Sequence, residues 1–70
     1  MHMIPIYSTA IARTGYDADR RVLRLEYKSG RIYDYHGVPP EKYEELLSAG
    51  SVGEFVNLEI KPNYECSEVA

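Results

Sequence analysis

The chain has 70 residues, a formal net charge of −3 and a single cysteine, Cys66. This length predicts one domain over residues 1–70 with a small core, and a lone cysteine excludes a disulfide within the chain. No segment approaches the roughly 20 apolar residues that span a bilayer, and no signal peptide is recognisable. We therefore expect a cytoplasmic protein with no membrane partner. For Cys66 we expect a free, inert thiol, and an intermolecular bridge or a reactive nucleophile stays open as the alternative.

Charge is distributed unevenly along the chain. Residues 1–35 carry six Lys/Arg and four Asp/Glu, whereas residues 36–70 carry two and seven. The overall balance argues against non-specific binding to nucleic acids. For the basic first half two interpretations stay open: a solvated sheet face with interspersed carboxylates, or a weak anion-binding surface.

Three segments in the first half have the composition of β-strands. The first lies around Ala10–Tyr16, and an Asp-rich turn follows it. In "RVLRLEYK" apolar and charged residues alternate with a period of two, which indicates a half-buried strand. "RIYDYH" is rich in residues that favour an extended backbone. These segments predict three antiparallel strands in sequential order.

The turn "KSG" between the second and third strands decides which way the tyrosines point. A three-residue loop requires a left-handed backbone only at Gly30, which glycine adopts freely. This loop pairs Leu25 with Tyr33 and Arg24 with Asp34, an opposite-charge pair. A two-residue turn would instead place Leu25 against Asp34, and such a slip moves every side chain to the other face. We prefer the three-residue loop. The inward face of the two strands then consists of Leu23, Leu25, Tyr27, Tyr33 and Tyr35.

The segment "VPPEKYEELLSAG" predicts a first helix. Pro40 suits the first helical position, and Gly50 is a typical residue just beyond a helix end. Tyr43, Leu46 and Leu47 follow the spacing i, i+3 and i+4 and should form its buried stripe.

A second helix is predicted after Ser51, which forms a capping box with Glu54. Pro62 should end this helix. The apolar stripe of the helix consists of Val52, Phe55, Val56 and Ile60. The core of the domain then extends over about residues 8–64, and we expect residues 65–70 to be a flexible acidic tail. The sequence leaves open whether the C-terminal segment forms a further strand.

The predicted fold class is α+β, a three-stranded antiparallel meander with two short C-terminal helices packed on one face. Two helices cannot cover both faces of so small a sheet. We therefore expect the opposite face to stay largely solvated. This second face would carry Val22, Arg24, Glu26, Ile32, Asp34 and His36.

The chain resembles a known small domain at this point. The segments "TGYD", "VLRLEYKSGRIYDYHGVP", "YEELLSAGSVGEFVNLEI" and "NY" follow the order and spacing of the KTSC domain family, from about Ser8 to Tyr64. The central mark of that family is a Tyr-x-Tyr motif. The residues that match the family motif, and for which we expect a structural role, are Tyr27, Gly30, Tyr33, Tyr35, Phe55 and Asn57.

The resemblance implies a binding function. The family is named for the C-terminus of some lysyl-tRNA synthetases and includes stand-alone bacterial and phage proteins, and RNA binding is the role suggested for it. Two departures weaken that expectation for this chain. Val52 stands where the family often has Lys, and the segment "NLEIKPN" contains one basic residue, Lys61.

Nothing in the sequence predicts catalysis. No nucleophile lies at a recognisable spacing from a base, and His36 with Asp34 supplies at most two metal ligands. We expect no catalytic residue, no metal and no cofactor. We predict a small non-catalytic binding module whose partner is RNA, such as tRNA, or alternatively another protein or a second copy that pairs through a free edge strand. The candidate binding surface consists of Arg13, Arg24, Lys28, Arg31, Asp34 and His36.

Overall fold

The computed structural model describes all 70 residues, which form a five-stranded antiparallel sheet and a helical layer. The strands are paired in chain order. The helical layer consists of α1 (Pro40–Leu47), α2 (Val52–Phe55) and a π-helical segment (Val56–Ile60) that continues α2. The strands are β1 (Ile4–Pro5), β2 (Ile11–Asp17), β3 (Val22–Tyr27), β4 (Ile32–His36) and β5 (Cys66–Glu68). The α+β class is confirmed, whereas the predicted number of three strands is wrong. None of the helices has the length and apolar composition needed to cross a membrane.

The two additional strands lie at the edges of the sheet. β1 pairs with β2, and β5 pairs with β4, where Cys66 lies opposite Tyr35. The expectation of a flexible tail over residues 65–70 is therefore wrong. The backbone of Ile32 accepts from Val69 N at 2.7 Å and donates to Ala70 O at 2.7 Å. Strands of two and three residues are held by such backbone bonds and are too short to show a period of two in the sequence.

The predicted register of β3 and β4 is confirmed. Leu25 lies opposite Tyr33 and Arg24 opposite Asp34. The turn is the three-residue loop, because Tyr27 N donates to Arg31 O at 2.8 Å and the third loop residue donates back to Tyr27 O at 2.9 Å. That third residue is glycine, with φ +98°.

The core lies between one face of the sheet and the helices. Its buried members come from β2, β3, β4, the loop between β4 and α1, and the helical layer. They are Ile11, Leu23, Leu25, Tyr35, Val38, Leu46, Val52, Val56 and Ile60. Leu47, predicted to be buried, is 43% exposed. Leu46 occupies the inward position of α1, so Leu47, about 100° further around the helix, points away from the core.

The second helix changes from α-helical to π-helical geometry at Val56, and the spacing of its apolar residues does not predict this change. Ser51 Oγ accepts from Glu54 N at 3.3 Å, which confirms the predicted N-cap. The helix then widens, and Lys61 N donates to Val56 O at 2.9 Å, five residues back. This wider turn keeps both Val56 and Ile60 inside the core.

The open face of the sheet is less solvated than predicted. Val22 is buried between Asp17 and His36 of the neighbouring strands, and most of the remaining side chains of this face are half-buried. The N-terminal segment contributes, because it crosses the sheet at Gly15. A Cβ atom there would lie 2.7 Å from both the carbonyl oxygen of His2 and a methionine sulfur.

The positive φ of Gly30 yields a stability prediction. We expect Gly30→Ala to lower the free energy of unfolding by about 1–2 kcal/mol, because an L side chain is strained in a left-handed conformation. A Cβ at Gly30 meets no neighbouring atom, so the backbone alone is tested. Urea denaturation followed by circular dichroism measures the change.

Gly50→Ala is the matched control. A Cβ at Gly50 also meets nothing within 4 Å, and the φ of Gly50 is not positive. This variant should be stabilised slightly, by less than about 1 kcal/mol. Equal destabilisation of the two variants would contradict the assignment of strain to the turn.

Candidate functional site

The predicted binding surface contains a partly buried ion pair. Arg24 donates to both carboxylate oxygens of Asp34, from Nε at 2.7 Å and from Nη2 at 2.9 Å. This hydrogen bond is the main cause that raises the pKa of Arg24. A bidentate pair of this kind satisfies both charges. Arg24 therefore has little capacity left to bind a phosphate.

Two further cations of the predicted surface are also paired. Arg13 Nε lies 2.7 Å from Glu26 Oε1, and Arg31 Nη1 lies 3.1 Å from Glu68 Oε2. Of the four predicted basic residues only Lys28 makes no ion pair. On the open sheet face the cations Arg13 and Arg24 are thus each paired with a carboxylate, and this face lacks a continuous basic patch.

His36 is exposed at the edge of this face. Its Nε2 atom lies 2.9 Å from the hydroxyl of Ser67 on β5, so the hydrogen bond of its ring goes to Ser67. No cavity is lined by His36. No group of three or more His, Cys, Asp and Glu side chains is arranged to hold a metal ion.

The two tyrosines of the Tyr-x-Tyr motif have different environments. Tyr35 is 3% exposed, and its hydroxyl lies 2.9 Å from that of Tyr27. Tyr33 is half-buried, and its ring meets that of Tyr27 edge-on, with centroids 5.8 Å apart. Tyr35 is therefore a core residue, whereas Tyr33 presents part of its ring to solvent.

A cavity of about 470 Å³ opens beside these rings, and we call it the tyrosine pocket. It lies between the β3–β4 turn, the end of the π-helical segment and β5. Its lining consists of Tyr27, Ser29, Arg31, Tyr33, Tyr35, Lys61 and Cys66. The structure thus brings three motif tyrosines and Arg31 together. It leaves Arg13, Arg24, Asp34 and His36 on the opposite face.

The tyrosine pocket combines neutral hydroxyls with positive charge. Burial raises the pKa of Tyr35, and the hydrogen bond that its hydroxyl shares with Tyr27 raises it further. Burial also raises the pKa of Tyr27, although its hydrogen bond to Tyr35 acts in the opposite direction. Lys61 Nζ lies 5.8 Å from the Tyr27 ring centroid and makes no ion pair. This arrangement suits a planar ligand that carries negative charge.

Sequence reasoning missed three lining residues of the tyrosine pocket. Lys61 directly follows Ile60, the last apolar residue of the helical stripe. That adjacency was the signal that could have placed Lys61 at the end of the helical layer, beside the sheet. Cys66 gave no signal, because β5 was not recognised. Ser29 was recognised only as a turn residue. The remaining motif residues lie elsewhere: Phe55 is half-buried with Lys42 Nζ 5.9 Å from its ring centroid, and Asn57 is exposed.

Comparison with known proteins identifies the family. Residues 7–64 match the KTSC domain. The chain belongs to the KTSC domain family. The resemblance noted from the Tyr-x-Tyr motif is therefore confirmed.

Relatives of this KTSC domain occur as small proteins and as part of a larger one. It is 44% identical over 62 residues to a protein of Tsukamurella paurometabola, which covers 89% of this chain and 92% of the relative. It is 36% identical over 64 residues to an uncharacterized protein of Stutzerimonas stutzeri, which covers 91% and 90%. It is 31% identical over 62 residues to a lysine–tRNA ligase of Nostoc punctiforme, which covers 89% of this chain but 11% of the ligase.

A solved structure shares the whole fold. The crystal structure of a KTSC domain protein from Yersinia pestis superposes with a TM-score of 0.95 and is 32% identical. The alignment covers 99% of this chain and 97% of the other. The edge strands and the helical layer thus belong to an architecture that this KTSC domain shares with a solved relative.

The raised pKa values in the tyrosine pocket yield a prediction for alkaline pH. The folded state holds the Tyr35 proton more tightly than the unfolded state, whose tyrosines ionise near pH 10. This stabilisation is fully present below about pH 10 and is lost as the pH rises toward the folded-state pKa. The free energy of unfolding should fall by about 1.4 kcal/mol per pH unit above 10 for Tyr35 alone.

Urea denaturation at a series of alkaline pH values measures this slope. In Tyr35→Phe the contribution of Tyr35 is absent, so the decline should be shallower than in the unmodified protein. A decline of unchanged steepness would show that Tyr35 ionises alike in the folded and unfolded states.

Proposed function

We propose that this KTSC domain is a non-catalytic module that binds single-stranded RNA and holds one unpaired nucleotide in the tyrosine pocket. The observation that carries the proposal is the pocket itself, where the half-exposed ring of Tyr33 and the ammonium of Lys61 face the same space. Proteins bind unpaired bases by stacking them on aromatic side chains beside basic residues.

The dimensions and polarity of the pocket support a nucleotide. Its volume of about 470 Å³ lies within the range of small-molecule sites. The base would stack on Tyr33, and neutral hydroxyls nearby offer hydrogen bonds to its edge. Lys61, which no carboxylate neutralises, would bind a phosphate. Arg31 at the rim shares its charge with Glu68 and contributes less.

The ion pairs of the open face limit the strength of binding. Arg13 and Arg24 are already neutralised by carboxylates, so few free cations remain to release counterions from RNA. This agrees with the net charge of −3. We therefore expect an affinity that comes mainly from base stacking and that depends only weakly on salt.

The relationship to a lysine–tRNA ligase supports an RNA partner. A KTSC-like segment forms about a tenth of that protein of Nostoc punctiforme, whose name implies work on tRNA. A binding domain in such a protein would bring additional contacts to its nucleic acid. For the present chain this relationship is supporting evidence, and the tyrosine pocket carries the proposal.

The surroundings of the Ser67–His36 pair support binding without turnover. The pair is exposed and lies outside every cavity, so no substrate would be held against it. Within the tyrosine pocket the pKa values of the Tyr27 and Tyr35 hydroxyls are raised, which makes these two groups poor general bases at neutral pH.

Self-association through an edge strand stays a prediction. The free edges belong to β1, which has two residues including Pro5, and to β5, which has three. Short edges that contain proline are weak templates for a further strand. Analytical ultracentrifugation at increasing concentration checks this alternative.

Two substitutions test the proposed RNA binding. Tyr33→Ala should weaken binding of a short single-stranded RNA by about 1–3 kcal/mol, because the stacking surface is lost. Lys61→Ala should reduce the slope of log affinity against log salt by about 0.7, the value for one phosphate contact on a single strand. Fluorescence anisotropy with end-labelled RNA at low salt measures both quantities.

Matched controls lie outside the tyrosine pocket. Tyr43→Ala removes a half-buried ring that stacks on Tyr16, with centroids 5.0 Å apart. Arg20→Ala removes an exposed, unpaired charge in the β2–β3 turn. Both controls should retain the unmodified affinity. The proposal fails when no RNA binds up to high micromolar concentration, or when the pocket variants bind as well as the controls.

A further inference from the structure

We propose that the RNA-binding site continues across the β3–β4 turn into a second subsite, formed by the ring of Tyr7 and the ammonium of Lys28. One strand would then occupy both cavities, with a nucleotide on each side of the turn. This inference rests on the proposed function and extends it from a single nucleotide to a strand of defined path.

The second subsite is a separate cavity of about 280 Å³. Its lining consists of Tyr7, Ser8, Thr9, Lys28, Gly50, Ser51 and Val52. Lys28 lines this cavity, whereas the next residue, Ser29, lines the tyrosine pocket. The two cavities therefore adjoin consecutive residues of one exposed turn.

Tyr7 is the most exposed aromatic side chain of the protein. The residue is fully exposed, so its ring contributes nothing to the core. Its position is nevertheless defined, because the hydroxyl of the next residue, Ser8, accepts from Ala10 N and Ile11 N at 3.2 Å each. The backbone that carries the ring is thus ordered before binding, so a stacked base would have to fix only the side-chain torsions of Tyr7.

Lys28 is held beside Tyr7 and keeps its charge free. Its backbone N donates to Ala10 O at 2.9 Å, which ties the β3–β4 turn to the loop that carries Tyr7. Its ammonium makes no ion pair, although half of the eight Lys/Arg do. The unpaired basic residues are Arg20, Arg21, Lys28 and Lys61. The two lysines line the two cavities, one each, and both arginines lie together in the β2–β3 turn.

Charge separates these two cavities from the third. Neither the tyrosine pocket nor the Tyr7 cavity has a carboxylate in its lining. The third cavity, beside Phe55 and Leu58, is lined by three glutamates and would repel a phosphate. Each of the two cavities thus combines a tyrosine, an unpaired lysine and at least one serine, and this repeated combination favours a path for an anionic strand over the turn at Ser29 and Gly30.

A length series of oligouridylates tests the second subsite. Binding of the mononucleotide through the hexanucleotide is measured for the unmodified protein, for the variant Tyr7→Ala/Lys28→Ala, and for the variant Tyr33→Ala/Lys61→Ala. All four side chains are exposed or half-buried, so the variants should fold, and circular dichroism confirms it. For the unmodified protein we expect affinity to rise from the mononucleotide to longer strands.

The variant Tyr7→Ala/Lys28→Ala should bind the mononucleotide normally and the hexanucleotide at least about tenfold more weakly than the unmodified protein. Its slope of log affinity against log salt for the hexanucleotide should fall by about 0.7. The variant Tyr33→Ala/Lys61→Ala should bind both the mononucleotide and the hexanucleotide more weakly than the unmodified protein. Arg20→Ala, which also removes one unpaired cation, should leave all affinities unchanged.

The possible failures are distinguishable. In one outcome, Tyr7→Ala/Lys28→Ala binds the hexanucleotide normally and Tyr33→Ala/Lys61→Ala binds it more weakly. That result overturns the second subsite and leaves the proposed function standing. Equal loss of mononucleotide binding in both variants overturns the second subsite as a separate site. When the unmodified protein binds no oligonucleotide, both proposals are overturned and a protein partner becomes the leading alternative.

Discussion

The left-handed backbone of Gly30 sets the geometry on which the rest of the structure depends. It closes a three-residue turn, and that turn fixes the register in which β3 and β4 pair. A register shifted by one residue would exchange the two faces of the sheet. Leu23 and Leu25 would then leave the core, and Asp34 would enter it without the guanidinium that neutralises it. One backbone dihedral angle therefore determines both the packing and the charge pattern.

The same register separates two surfaces with different capacities for binding. On the open face, oppositely charged residues lie directly across from one another. Arg24 and Asp34 form a bidentate pair there, which leaves little hydrogen-bonding capacity for a ligand. On the helix side, the tyrosines extend past the end of the helical layer, where Lys61 meets them without a carboxylate. The number of basic residues would favour the open face as a binding surface. Because those residues are paired with carboxylates, however, the unpaired charge of Lys61 lies on the helix side.

Much of the fold could be predicted from the sequence because its central elements carry local signals. The β3–β4 turn follows from the backbone conformation that glycine allows. The pairing of β3 with β4 follows from the alternation of apolar and charged residues, and the N-cap at Ser51 follows from its spacing to Glu54. β1 and β5 could not be predicted, since two or three residues show no period and their stability comes from backbone bonds to strands distant in sequence. The tyrosine pocket was missed for the same reason, because its wall at Cys66 exists only once β5 has docked.

The docking of β5 also has a consequence for the dynamics of the tyrosine pocket. β5 has three exposed residues and is held largely by backbone hydrogen bonds at the edge of β4. Elements of this kind separate from a domain at a small fraction of the cost of global unfolding. Each such opening removes Cys66 from the wall of the pocket while the motif tyrosines stay in place. Access to the rings is therefore coupled to an equilibrium at the edge of the sheet, and any ligand that contacts Cys66 would slow the exchange of the β5 amide protons with solvent.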